Sequence, residues 1–197
     1  MYSKSIVRYP FLYINSCSKR AALSKRSVYG FKVKIAQLRF EHKYKNYDEI
    51  LSKLNKEGWK FIHLKRENFL RHKLSNIFTT ETNIFQVKNP GDYKLKKIKV
   101  DCELLLKGIL YSEEVEKTEE ENLKDIPHIK ILYEKDLLDN SKHQETADRI
   151  FKYLGLSQQT VKTSLIRLSS ENLEDMILNY DEVYNFFKDT KYSHYLN

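Results

Sequence analysis

The sequence predicts an α/β fold, a mostly parallel sheet flanked by helices, and three observations carry that prediction. Trp59–Leu64 and His128–Tyr133 are short apolar runs of the length and composition of buried strands. Each passes directly into a stretch with helical spacing. Strands alternating with helices in this way imply right-handed βαβ units in a single domain over residues 1–197.

Taken in order, residues 10–25 predict a short helix with Pro10 in its first turn, where a missing N–H costs nothing. Val28 to Leu38 alternates apolar and polar residues through Phe31, Val33 and Ile35, which predicts a strand. Asn46 with Glu49 predicts a helix start, and Gly58 a stop after about Lys56. Trp59–Leu64 is the next strand, followed by a helix through Ser75. Asn89-Pro90-Gly91-Asp92 reads as a turn, and Lys97–Val100 as a short extended piece. Asp101 is placed to cap a long helix reaching Leu123, whose Glu-rich surface reads as a solvated face. After the strand His128–Tyr133, Ser141 with Gln144 predicts a capping box for a helix ending at Leu154-Gly155. A last helix is expected from after Ser170 toward Phe187.

The composition bounds the function. At 197 residues the chain can bury a real core, and its 14 Tyr, 10 Phe and single Trp supply large apolar faces. Lys plus Arg number 35 against 27 Asp plus Glu, a net charge of +8 that favours a polyanionic partner. Nucleic acid, an anionic membrane surface and a multiply phosphorylated small molecule all satisfy it. Positions 1–100 are basic, whereas Glu113 to Glu121 is acidic. Cys17 and Cys102 lack metal-ligand spacing and do not form a disulfide framework. No apolar run approaches the roughly 20 residues of a spanning helix, and residues 1–20 lack a signal-type apolar core. A cytoplasmic location is the expectation.

The richest stretch for chemistry is WKFIHLKRENFLRHKLS, Trp59 to Ser75. A strand that empties into a helix start, with the Arg66 guanidinium there and the Ser75 hydroxyl nine residues on, describes an anion site. The plainer alternatives are a surface ion-pair arginine and a helix-filling serine. Tyr133 leaves the second buried strand at the edge where α/β ligands collect, and suits a purine or a core position. Lys32 and Lys34 fit charge stabilisation of a transferring group or a solvated sheet edge. His42 is a further general-base candidate. The isolated glycines (30, 58, 91, 108, 155) exclude GxxxxGK[ST], and neither zinc spacing nor GxSxG occurs.

Together these segments resemble the later part of the sulfotransferases that use 3′-phosphoadenosine-5′-phosphosulfate (PAPS), especially the bacterial trehalose-type branch. HLKRENFLRHKLS resembles the family's strand–Arg–helix–Ser segment. ILYEKDLLDN is similar to its Tyr-Glu-Asp-Leu segment, with Lys135 inserted. SKHQETADRIFKYLGL resembles the following helix, TSLIRLSSENLEDMILNYDEV the C-terminal segment, and VYGFKVK the lysine-bearing strand. The resemblance implies a P-loop-like sulfotransferase fold and sulfuryl transfer to a hydroxyl or amine acceptor. It also implies PAPS as donor, with adenosine 3′,5′-bisphosphate (PAP) as product. Arg66 and Ser75 would hold the 3′-phosphate, Tyr133 the adenine, Thr163 and Arg167 further parts of the nucleotide, and Lys32 the transferring group. Residues 1–27 carry no counterpart of the family's phosphosulfate loop or its first strand, and Lys34 stands where the family has histidine. The chain therefore reads as an N-terminally incomplete or degenerate member that keeps the 3′-phosphate half-site. Its partners are the nucleotide donor and an acceptor that the sequence does not specify, with homo-oligomers left open. The rival reading is a basic, tyrosine-rich module that grips nucleic acid without catalysis, and it ranks behind the nucleotide.

Overall fold

A computed structural model describes residues 10–24, 28–41, 44, 47–84, 96–163 and 170–196. It is mixed α/β and mostly helical, with a two-stranded parallel sheet. The chain divides into two compact units, residues 1–59 with 117–126 and residues 60–116 with 127–197.

In the first unit α1 spans Pro10–Leu23 and α2 spans Tyr47–Lys56. The chain leaves α2 through Gly58, whose φ of 84° lies in the left-handed region that glycine enters without a Cβ clash. The amide of Trp59 then donates to the Leu54 carbonyl (3.0 Å) and closes the end of the helix. Ile14, Ile35, Ile50, Leu51 and Leu54 are buried here. The expected strand over Val28–Leu38 is absent: residues 28–34 have no regular structure and Gln37–Glu41 form a π-turn. Alternation alone does not make a strand, because a strand needs a neighbour to take its backbone hydrogen bonds.

The second unit holds the sheet. Strand β1, Phe61–Lys65, pairs in parallel with β2, His128–Leu132, in a register that sets Phe61 beside His128 and Lys65 beside Leu132. The multi-stranded parallel sheet expected from the sequence is thus reduced to two strands among the described residues. Helix α3, Phe69–Thr82, follows β1. The Asn68 side chain caps it by accepting from the Arg71 amide (2.9 Å), and Asn83 ends it in the left-handed region. Helix α4, Cys102–Leu123, begins as predicted, with Asp101 accepting from the Leu104 amide (2.9 Å). The Glu-rich face of α4 is more than solvated: Lys65 meets Glu116 at 2.6 Å, and Lys191 meets Glu113 at 3.2 Å.

Lys97–Val100 is extended as expected. Ile98 forms a parallel bridge to Ile177, and Asn179 brackets Val100, accepting from its amide (2.9 Å) and donating to its carbonyl (2.8 Å). Helix α5, His143–Leu154, ends at Gly155 with φ 74°, as predicted. Its start differs. Lys142 stands at its N-cap position without a side-chain cap, and Asp139 caps the preceding 3₁₀ turn, Asn140–Lys142, accepting from the Ser141 amide (2.8 Å). The last expected helix is broken into a 3₁₀ turn, Leu173–Asp175, the Ile177 bridge, and helix α6, Tyr180–Phe187. The core of this unit gathers Leu70, Leu74, Leu105, Ile109, Val183 and Phe187, all essentially without solvent exposure. The Asn89–Asp92 turn lies outside the described residues. Among those residues no helix is long and apolar enough to cross a membrane.

Candidate functional site

The parallel register decides which side chains meet at the carboxyl ends of β1 and β2. Because Lys65 is level with Leu132, the next residues, Arg66 and Tyr133, emerge side by side. The Arg66 guanidinium lies over the Tyr133 ring, 3.9 Å from its centroid. Stacking uses the flat face of a guanidinium and leaves its in-plane N–H donors pointing outward. Among the described residues no hydrogen bond or ion pair engages that edge, and Arg66 is half-buried.

The other described arginines of this unit are committed. Arg71 donates to the carbonyls of Ser170 (3.3 Å) and Glu171 (2.5 Å). Arg149 donates to Asp136 Oδ1 (2.6 Å) and to the Lys130 carbonyl (3.4 Å). Asp136 in turn accepts from the Leu132 amide (2.7 Å), and the Thr146 hydroxyl donates to its carbonyl (2.8 Å). Burial pushes the Asp136 carboxyl up, but the Leu132 amide and the Arg149 guanidinium outweigh it and hold the group below its ordinary value. These bonds shape the π-turn Tyr133–Leu137, in which the Leu138 amide reaches back to the Tyr133 carbonyl (2.8 Å).

Glu134 joins the two strand ends. Its carboxylate accepts from the amides of Glu67 (2.9 Å) and Asn68 (3.2 Å), the two residues that lead into α3. The negative charge thereby meets the positive end of the helix. The sequence signal for this contact was the Glu of the YEKDL run, but a bond spanning 66 residues has no local signature. Ser75 is the seventh residue of α3 and is half-buried beside Leu74 and Phe78, which are buried in the core. Its carbonyl accepts from the Thr79 hydroxyl (2.7 Å), and among the described residues its own hydroxyl makes no hydrogen bond.

Of the remaining candidates, Thr163 is exposed in the second unit, and Arg167 and His42 lie outside the described residues. Lys32 and Lys34 are exposed in the first unit, in the irregular segment 28–34. The strand that would carry them to a transferring group is absent, since residues 28–34 have no regular structure. Among the described residues no cluster of three or more His, Cys, Asp or Glu side chains could hold a metal. Both cysteines are free thiols, Cys17 half-buried and Cys102 buried. No family model matches the chain, and neither curated proteins nor solved structures yield a match.

Proposed function

We propose that the chain is sulfotransferase-like and that its second unit binds the 3′-phosphate and adenine of PAPS or PAP. One observation carries the reading: an arginine just past the carboxyl end of a parallel strand, lying over the ring of the tyrosine that follows the neighbouring strand, with its donor edge uncommitted among the described residues. A guanidinium edge matches a phosphate bidentately, and two charge-assisted bonds there give roughly 1.5–3 kcal/mol each once water is excluded. Ser75 adds a hydroxyl donor, and the Tyr133 ring adds a surface for a purine. Glu134 acts by positioning, since it fixes the β1–α3 junction on which Arg66 stands. The activity of a complete site of this kind is sulfuryl transfer to a hydroxyl or amine acceptor, driven by orientation and electrostatic stabilisation.

The test is a thermal-shift comparison of PAP with AMP on wild type and Arg66→Ala. Near 100 times its dissociation constant, PAP should raise the wild-type midpoint by about 5 °C or more. AMP, lacking the 3′-phosphate, should raise it far less. Arg66→Ala should erase the difference. Equal shifts for the two nucleotides, or a PAP shift indifferent to the substitution, would remove the assigned half-site.

A further inference from the structure

The positive charge is concentrated at one end of the sequence. Residues 1–59 hold 13 Lys and Arg against four Asp and Glu, and residues 117–126 add two Lys and four acids. The second unit is close to neutral, with 20 basic against 19 acidic residues. A surplus carried by one segment of the sequence favours a polyanionic partner for that segment.

That same unit carries an aromatic corner. Tyr29 and Phe31 lie with centroids 6.1 Å apart and planes tilted by 30°, so their rings form an offset pair. Trp59 stands nearly upright against both, at 73° to Tyr29 (5.8 Å) and 78° to Phe31 (5.2 Å). Phe31 is 38% exposed. Lys32 and Lys34 follow Phe31 directly and are exposed; Lys56, three residues before Trp59, is exposed too. Lys56 also lines an open cleft of about 450 Å³ beside α1 and α2, with Phe11, Tyr44, Glu49, Ser52 and Lys53. In that cleft Lys53 Nζ lies 3.9 Å from the centroid of the Phe11 ring. Exposed lysines thus lie close in sequence to two of these rings, Lys32 and Lys34 after Phe31 and Lys56 before Trp59.

We propose that this first unit binds single-stranded nucleic acid, with bases against the Tyr29–Phe31–Trp59 corner and backbone phosphates on Lys32, Lys34 and Lys56. Lysines alone would serve a sulfated glycan or an anionic lipid surface equally well. The rings select a ligand in which flat apolar faces alternate with phosphates, and base-on-ring stacking tolerates any sequence. The surface belongs to the first unit only, so it stands or falls independently of the nucleotide half-site around Arg66.

The chain reports on itself, because Trp59 is its one tryptophan. A twelve-residue oligothymidylate titrated into the full chain should quench Trp59 fluorescence, with an affinity that falls linearly with salt on logarithmic axes. Lys32→Ala/Lys34→Ala should reduce that slope by about 1.4, at roughly 0.7 per lost contact to a single strand. Phe31→Ala should weaken binding about tenfold, and Arg66→Ala should leave it unchanged. Circular dichroism on each variant separates lost binding from lost folding, and Phe31→Tyr, which keeps the ring, should restore affinity. The proposal is overturned if the oligonucleotide leaves Trp59 unquenched, or if heparin or phosphatidylserine vesicles bind and quench as well as it does. Indifference of affinity to Phe31→Ala or to the double lysine variant also overturns it.

Discussion

The two units treat charge in opposite ways. In the second, cations are held in place: Arg149 by Asp136, Lys65 by Glu116, Lys191 by Glu113, Arg71 by two carbonyls. In the first, Lys32, Lys34, Lys53 and Lys56 are exposed, and Lys53 lies over the Phe11 ring. Charge pinned in local pairs shapes a fold, whereas charge left in water attracts a partner. Among the described arginines of the second unit, Arg66 is the one held by a ring rather than by a carboxylate or carbonyls. That difference gives it a candidate role where Arg71 and Arg149 have structural ones.

This contrast breaks if the pinned groups prove dispensable. The largest expected effect is in the core that carries them: Leu74→Ala, at a position with no solvent exposure, should cost about 2–5 kcal/mol in urea unfolding. Asp136→Asn should cost less, about 1–2 kcal/mol, because Arg149 is 44% exposed and water screens part of the pair. Its pH dependence has a definite sign. The Asp136 value is lowered in the folded state, so its contribution is complete above the ordinary carboxylate range near pH 4. It is lost as pH falls below that range through the folded value, and Asp136→Asn should flatten that part of the stability curve. Gly155→Ala comes next, about 1 kcal/mol, since φ 74° strains any residue with a Cβ. The smallest effect sharpens the contrast: Arg66→Ala should change stability by under about 1 kcal/mol while removing PAP discrimination. A large loss of stability in that variant would class Arg66 with Arg149.

How much of this was legible in the sequence depended on the distance over which each signal acts. Signals spanning up to six residues read correctly: Asp101 capping Leu104, Gly58 and Gly155 ending helices, and the apolar runs that became β1 and β2, although Ile62 and Leu64 of β1 are exposed where a buried strand was expected. The capping box failed because the Asp139 carboxylate accepts from both the amide (2.8 Å) and the hydroxyl (2.7 Å) of Ser141, which holds that side chain in the preceding 3₁₀ turn. The strand over Val28–Leu38 failed because period-two alternation is necessary for a half-buried strand but does not supply the neighbour. Within the site, Arg66 and Tyr133 were named separately from their places at strand ends. That they touch follows only from register, which one residue of slippage would have undone. Glu134 reads from its place after Tyr133 as a residue that orders neighbouring loops, but its partners, the Glu67 and Asn68 amides, carry no local signature.

The ring beneath Arg66 also has a thermodynamic consequence. An unrestrained arginine side chain forfeits about 2 kcal/mol of rotamer entropy when a ligand immobilises it. Here Tyr133 already confines the guanidinium, so much of that loss falls on folding and little of it on association. Replacing Tyr133 with leucine would leave every donor of Arg66 intact, yet the nucleotide would have to freeze a swinging arm, and calorimetry should register a less favourable entropy of binding beside the enthalpy lost with the purine's stacking surface.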